Sequence, residues 1–422
     1  MRKLKTSATR LGSALAAATT LIAPLPLQGG QSDPQAFAQI ERGRYLAVLS
    51  DCTSCHTVPG SSQPFAGGRA IETPFGNILA PNITPDRETG IGAWSDDDFD
   101  AAVRQGVRPY GAKLYPAMPY NAFTKMSRND VLAIRAYLNT VAPVRNAVVA
   151  DALPFPFSVR AVMGVWDTLY FTAGEYKPDP NKSAEWNRGA YIVTGPAHCP
   201  ACHTPKTFLG GDKTNHYLMG SDLQGWFAPE LTDDKSAGLG RWTADDVVAY
   251  LKTGHNRISA ATGPMAEVVS LSSSNMTDAD LKSIATYLKS FSQPADADPP
   301  APIGPKDPRM VAGHAIYRDQ CSACHGLDGR GAADLFPSLA DSSVARSEDP
   351  ATQIRIVLRG ARSVATAAEP TAPGMPSYGR QLSDAQVAAV LTYIRNSWGG
   401  AAKAVTAEDV ASARLALASR WD

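Results

Sequence analysis

The 422-residue chain has no cysteine to spare. All six fall in three five-residue stretches, so none is left to act as a lone thiol nucleophile or an unusual metal ligand. Neither sign of charge is in excess: 40 basic and 40 acidic residues cancel. That balance leaves no basic face of the kind nucleic acid requires. No glycine-rich loop stands between a strand pattern and a helix pattern, so no turn for a flavin or nicotinamide nucleotide is legible. After the amino-terminal segment, no apolar run approaches the ~20 residues needed to span a bilayer. Glycine and proline, by contrast, are plentiful at 34 and 32, which implies many turns around short helices.

What the chain does have is one pattern, three times. The stretches are Cys52-Thr53-Ser54-Cys55-His56, Cys199-Pro200-Ala201-Cys202-His203 and Cys321-Ser322-Ala323-Cys324-His325. Each reads C-x-x-C-H, the attachment pattern of a c-type haem. Two thiols one helical turn apart can each form a thioether to a haem vinyl group, and the next histidine then supplies a nitrogen to the iron. Three disulfides or a zinc protein are the rival readings, but neither requires a histidine after every second cysteine. The expected cofactors are therefore three covalently bound haem c groups. Cys52, Cys55, Cys199, Cys202, Cys321 and Cys324 would attach them, and His56, His203 and His325 would ligate iron. No catalytic residue is expected.

Internal repetition sets the organisation. Pro81 to Gly106 aligns without a gap on Pro229 to Gly254, pairing Trp94 with Trp242, Ser95 with Thr243 and Asp98 with Asp246. A third copy is shorter and lacks the tryptophan loop. Each copy has a glycine ahead of its motif (Gly43, Gly189, Gly313) and a tyrosine in its closing helix (Tyr137, Tyr287, Tyr393). A glycine lets two helices cross closely and a ring can cover the crossing. This resembles the class I c-type cytochromes. The expected fold is all-α, with three tandem class I cytochrome c domains and long loops, at 39–138, 185–291 and 309–398. Residues 139–184 form an apolar connector around Trp166, expected to be a short helix plus loop between the first two domains, with a partner-docking surface as the alternative. Residues 292–308 form a Pro-rich linker. The tail, 399–422, would carry a helix capped by Thr406 and Asp409 with Val410, Ala413, Leu417 and Trp421 on one face. It would lie on a membrane or partner, or strap the third domain.

The second axial ligand decides what a haem does. A methionine raises the potential and closes the iron, whereas a missing ligand leaves it open. Met118 and Met265 each stand 62 residues after their histidines, and Met375 stands 50 after His325. All three sit in Pro- or Gly-flanked segments, read as loops before the closing helices. Met126 and Met276 compete, but the third copy has Leu382 at that position, which suits a hydrophobic staple ahead of a helix cap. Met219 also competes with Met265. His198, His216, His255 and His314 have no repeated placement and read as structural or surface residues.

Residues 1–38 read as a signal peptide. Arg2, Lys3, Lys5 and Arg10 precede an apolar run from Leu11 to Leu27, and Ala36-Phe37-Ala38 offers a cleavage pattern. Cleavage nearer Ala23 or Gly30 is the alternative. Removal of the segment takes away four positive charges and one negative, leaving about −3.

With these residues in hand, the chain resembles the three-haem cytochrome c subunit of bacterial membrane-bound dehydrogenases of the alcohol, gluconate and sorbitol type. The resemblance rests on the three motifs in order, Asn82-Ile83-Thr84-Pro85-Asp86 with Gly90-Ile91-Gly92, Trp94-Ser95 and the Pro-flanked Met375. It implies a separate flavoprotein or quinoprotein subunit that oxidises the substrate, and passage of electrons through this chain to membrane ubiquinone. It also implies an exported chain, peripherally attached at the periplasmic face of the cytoplasmic membrane. A cytochrome subunit of a molybdenum hydroxylase or a terminal oxidase is the alternative. A haem peroxidase or thiosulfate-oxidising cytochrome is disfavoured by the methionine available in every repeat.

Overall fold

The computed structural model describes residues 1, 34–149, 153–292, 300–418 and 420. Most of the expected signal peptide, the centre of the Pro-rich linker and Trp421 lie outside these residues. The described chain is mostly helical with little strand. This agrees with the all-α expectation, to which short strand pairs are a minor addition. Three short antiparallel hairpins stand where loops were expected, pairing Ala70–Thr73 with Gly76–Leu79, Ser221–Leu223 with Trp226–Ala228, and Ala361–Arg362 with Gly374–Met375. Gly76 and Gly225, both at positive φ, allow the first two hairpins to turn tightly.

Helices follow one another in three similar runs. The first run is α1 (Pro34–Leu49), α2 (Cys52–His56), α3 (Asp96–Gln105), α4 (Tyr120–Phe123) and α5 (Arg128–Leu138). A connector helix, α6 (Met163–Tyr170), leads to the second: α7 (Ala184–Thr194), α8 (Pro200–His203), α9 (Ala244–Thr253), α10 (Gly263–Leu271) and α11 (Asp278–Leu288). The third comprises α12 (Pro308–Gln320), α13 (Ser322–His325), α14 (Ser343–Arg346), α15 (Ala351–Arg359) and α16 (Asp384–Arg395), followed by α17 (Ala407–Ala418). The capping boxes at Ser95/Asp98 and Thr243/Asp246 both form and start α3 and α9 at equivalent places.

In each run the opening helix crosses the closing one at a glycine. Gly43 of α1 lies against the Ala133 carbonyl of α5, Gly189 of α7 against the Ser283 carbonyl of α11, and Gly313 of α12 against the Ala389 carbonyl of α16. A methyl group at any of the three would overlap that oxygen. At the second and third crossings it would also meet the β-carbons of Tyr287 and Tyr393, at 2.8 and 2.6 Å. These helices approach so closely that only hydrogen fits between them.

The first two runs share a core. Leu46, Leu49, Phe123, Met126 and Val131 join Ile192, Val193, Met276, Leu281 and Ile284 in one continuous buried cluster. The third has its own, built on Tyr317, Ile354, Val387, Leu391 and Ile394. Val410 and Leu417 of α17 are buried in that cluster and Ala413 packs on it. The tail is thus a strap on the third run, and this apolar face is not free for a membrane. Helix α6 wedges the connector between the first two runs. Trp166 is buried against Tyr120, its indole Nε1–H donates to the Leu209 carbonyl at 3.0 Å, and the Tyr120 hydroxyl donates to Asp167 at 2.7 Å.

Candidate haem sites

Each C-x-x-C-H stretch ends in a short helical turn that follows its run's first helix, at Cys52–His56, Pro200–His203 and Ser322–His325. The six thiols are unpaired, and among the described residues no group of three or more His, Cys, Asp and Glu side chains could hold a metal ion by itself. Burial pushes the Cys52 and Cys199 thiols up to about 12 and Cys321 up to about 11. Burial thus disfavours the thiolate at these three positions; in a haem-loaded chain these sulfurs stand as thioethers.

The histidines carry the strongest signal. His56 Nδ1 lies 2.8 Å from the Pro81 carbonyl oxygen, His203 Nδ1 lies 2.7 Å from that of Pro229, and His325 Nδ1 lies 3.1 Å from that of Pro337. A carbonyl only accepts, so Nδ1 must carry the proton and donate it. The tautomer is fixed and Nε2 is left as the free lone pair, the arrangement expected of a metal-ligating imidazole. Burial lowers the pKa of all three rings, with the carbonyl bonds opposing, which favours the neutral form that ligation needs. The residues present therefore fit a haem iron at each motif. Pro81 and Pro229 were visible in the sequence only as the start of an aligned segment, and Pro337 not at all; nothing in the spacing disclosed the bond.

The candidate methionines occupy less uniform places. Met118 is half-buried beside the shared core, just ahead of α4. Met375 is half-buried against the third core, on the strand that pairs with Ala361. Met265 departs from the expected loop and sits in the first turn of α10. Pro264 is favourable in the first turn of a helix, where its missing N–H has no partner to lose. Met265 packs in a small cluster with Tyr250, Val269 and Val364, the last from the third run. Met126 and Met276 are fully buried core residues, and Met219 is half-buried. His198 takes the structural of its two expected roles: its imidazole donates to the Ser50 carbonyl and its ring meets Phe123 edge-on at 5.5 Å.

Sequence reading missed how the first two motifs face each other. Ser127 and Thr277 cap α5 and α11, but Asp130 and Asp280, three residues on, do not close capping boxes. Asp130 binds Arg42 of its own run (Nε at 2.8 Å) and the Tyr191 hydroxyl of the second. Asp280 binds Arg188 of its own run at 2.8 and 2.7 Å and the Tyr45 hydroxyl of the first at 2.7 Å. The exchange is reciprocal, so the two runs are related by an approximate two-fold. Arg69 and Glu267 form a further ion pair across the same junction. The third run docks on the second through Thr352, which bonds both the N–H and the carbonyl of Phe227, and through the Arg355 guanidinium over the Trp226 ring.

Comparison with known proteins agrees with this geometry. The cytochrome c family model matches residues 40–142 and 310–398. The gluconate 2-dehydrogenase cytochrome c subunit of Pantoea cypripedii is 41% identical, over 89% of this chain and 90% of its own length. The cytochrome c subunit of the alcohol dehydrogenase (quinone) of Gluconacetobacter polyoxogenes is 38% identical, over 94% and 88%. The fructose dehydrogenase cytochrome subunit of Gluconobacter japonicus is 37% identical, over 89% and 82%. Fold, motifs and matched residues define a c-type cytochrome, and such domains bind haem c covalently. More narrowly, the chain belongs to the family of cytochrome c subunits of dehydrogenase complexes, and it transfers electrons.

Proposed function

We propose that the three runs are three class I cytochrome c domains that relay electrons from a partner dehydrogenase subunit to ubiquinone in the membrane. The observation that carries the reading is the threefold recurrence of a histidine whose Nδ1 is held by a proline carbonyl beside a C-x-x-C pair. When bound, each haem supplies a one-electron redox centre. The six cysteines anchor the haems, the three histidines present Nε2, and Met118, Met265 and Met375 complete the coordination. Saturated iron leaves no place for an organic substrate, so chemistry on the substrate belongs to the partner, a flavoprotein or quinoprotein. Quinone as acceptor is supported by the quinone dehydrogenase among the similar proteins.

Export to the periplasmic face, as the leader reading requires, suits covalent haem attachment. No helix among the described residues is long and apolar enough to cross a membrane, so the attachment proposed is peripheral. An apolar surface is available for docking: Phe155, Val165, Leu169 and Phe208 are more than half exposed along the connector and the neighbouring loop. Trp166, the residue around which the docking reading was built, is buried beneath.

The test is mass and activity. The denatured mature chain should exceed its polypeptide mass by three haems; two haems, or free thiols, would refute the count. With a partner dehydrogenase restored, substrate should reduce the haems and then a ubiquinone analogue, while the isolated chain should show no dehydrogenase activity with alcohols or sugar acids. A complex that reduces quinone equally well without this chain would overturn the reading.

A further inference from the structure

The residue before each of the first two motifs is titratable and adopts a left-handed backbone: Asp51 at φ +48° and His198 at φ +37°. The third motif has Gln320 there. In this region Asp, Asn and His are tolerated better than most side chains. The approximate two-fold brings the two positions to the junction between the first two runs, where His198 donates to the Ser50 carbonyl, one residue before Asp51.

Asp51 is 8% exposed, and its Oδ1 is buried with no hydrogen-bond partner. On its own turn it meets Ser54, whose hydroxyl also donates to the Asp51 carbonyl at 2.9 Å. From the loop ahead of the first hairpin, Arg69 approaches, with its guanidinium committed to Glu267 (Nη2 to Oε2, 2.9 Å) and to the Ser54 carbonyl. From α10 of the second run comes Glu267 itself. From the second motif comes Cys202, whose thiol is raised by burial, lowered by Lys206 and raised again by Cys55 and Asp51. Cys52 and Cys55 are the remaining neighbours, and neither titrates once it is a thioether. Asp51 therefore stands between the attachment points of the first two haems, with one cation that is already paired and one further carboxylate. A buried carboxylate without a dedicated counter-ion favours its protonated form. Burial pushes Asp51 up to about 7, with Ser54 and Arg69 opposing and Glu267 reinforcing.

We propose that Asp51 is a proton-binding site coupled to the oxidation state of the first two haems, so that an electron arriving at either one draws a proton onto its carboxylate. This rests on the reading that those motifs carry haem. In the balanced step, one ferric iron takes one electron from the dehydrogenase partner and becomes ferrous, and one carboxylate takes one proton from solvent and becomes a carboxylic acid. The added negative charge on the haem is compensated where Oδ1 has no other partner. The electron and the proton leave together when the haem is reoxidised, so the pair hands on electrons with local charge balanced.

The test is spectroelectrochemical titration of the haem-loaded chain from about pH 5.5 to 8.5. In the unaltered protein the potentials of the first two haems should fall as pH rises, by at most about 59 mV per unit, the one-electron equivalent of a tenfold change in proton affinity. Asp51→Asn, which keeps the size and tolerates the left-handed backbone, should flatten that slope and leave the third haem unchanged. A dye assay should find one proton fewer taken up on full dithionite reduction. An unchanged slope in D51N would overturn the proposal. If D51N does not fold, Glu267→Gln gives a second reading: removing the neighbouring negative charge should move the bend in the curve to lower pH, and an unmoved bend rejects it. A pyridine haemochrome count on the same samples separates this failure from failure of haem attachment itself.

Discussion

At the scale of single residues, the haem sites are defined by atoms the chain commits in advance. A proline carbonyl accepts a hydrogen bond from Nδ1–H of each histidine, so the ring cannot rotate or change tautomer without losing a bond worth about 1 kcal/mol. The methionines carry the sharper prediction. Met118→Leu or Met375→Leu should open one iron to carbon monoxide and lower one reduction potential, both visible in the absorption spectrum. Met276→Leu, a nearly volume-conserving change in the core, should cost less than about 1.5 kcal/mol and leave every haem spectrum unchanged. If Met276→Leu opened the second haem while Met265→Leu left it closed, the ligand there would have to be reassigned. The uniform spacing of Met118 and Met265 was legible in the sequence. The difference between their surroundings was not, because Met265 packs with Val364 from a distant part of the chain.

At the scale of elements, the crossings of α1 with α5, α7 with α11 and α12 with α16 are the joints of the molecule. Gly43→Ala, Gly189→Ala or Gly313→Ala should each force the helices apart. The expected cost is at least the ~1–3 kcal/mol of an overpacked core, read as a lower Tm with partial loss of haem attachment. An alanine variant with unchanged Tm would contradict the packing described. These glycines, the tyrosines beyond them and the caps at Ser95 and Thr243 were readable from sequence because each is a local signal repeated at a fixed offset. The short hairpins were not, since Ala361 pairs with Met375 through a loop whose residues show no strand alternation. Nor was the fate of Asp130 and Asp280. A cap three residues ahead predicts that a carboxylate turns back to it, but here tyrosine and arginine partners from elsewhere outcompete the box.

At the scale of the whole molecule, the first two runs share one core, and each also lends the other a tyrosine hydroxyl. Hydrogen bonds to charged groups contribute about 1.5–3 kcal/mol each, so Tyr45→Phe and Tyr191→Phe should loosen the junction measurably and comparably. The junction is also sensitive to acid. Burial alone would raise Asp280, but the Arg188 guanidinium and the Tyr45 hydroxyl outweigh it and hold the carboxyl below its ordinary value. A group depressed in the folded state stabilises above its unfolded pKa and loses that contribution as pH falls through the folded one. The Tm should therefore start to drop as the pH falls toward about 4, the ordinary value for Asp, and go on dropping below it, and Asp280→Asn should flatten that drop while lowering the Tm at neutral pH. Equal acid sensitivity in the two proteins would place the response elsewhere.

The meeting of Cys55 and Cys202 across this junction also has a consequence in time. Helix α10 packs on α2, and Arg69 is tied to Glu267 beside the first motif. Cys55 and Cys202 are both half-buried there, so haem attachment at either thiol is expected to be easier before the two runs close on each other. A variant whose junction closes too early should then show a lower haem content by mass.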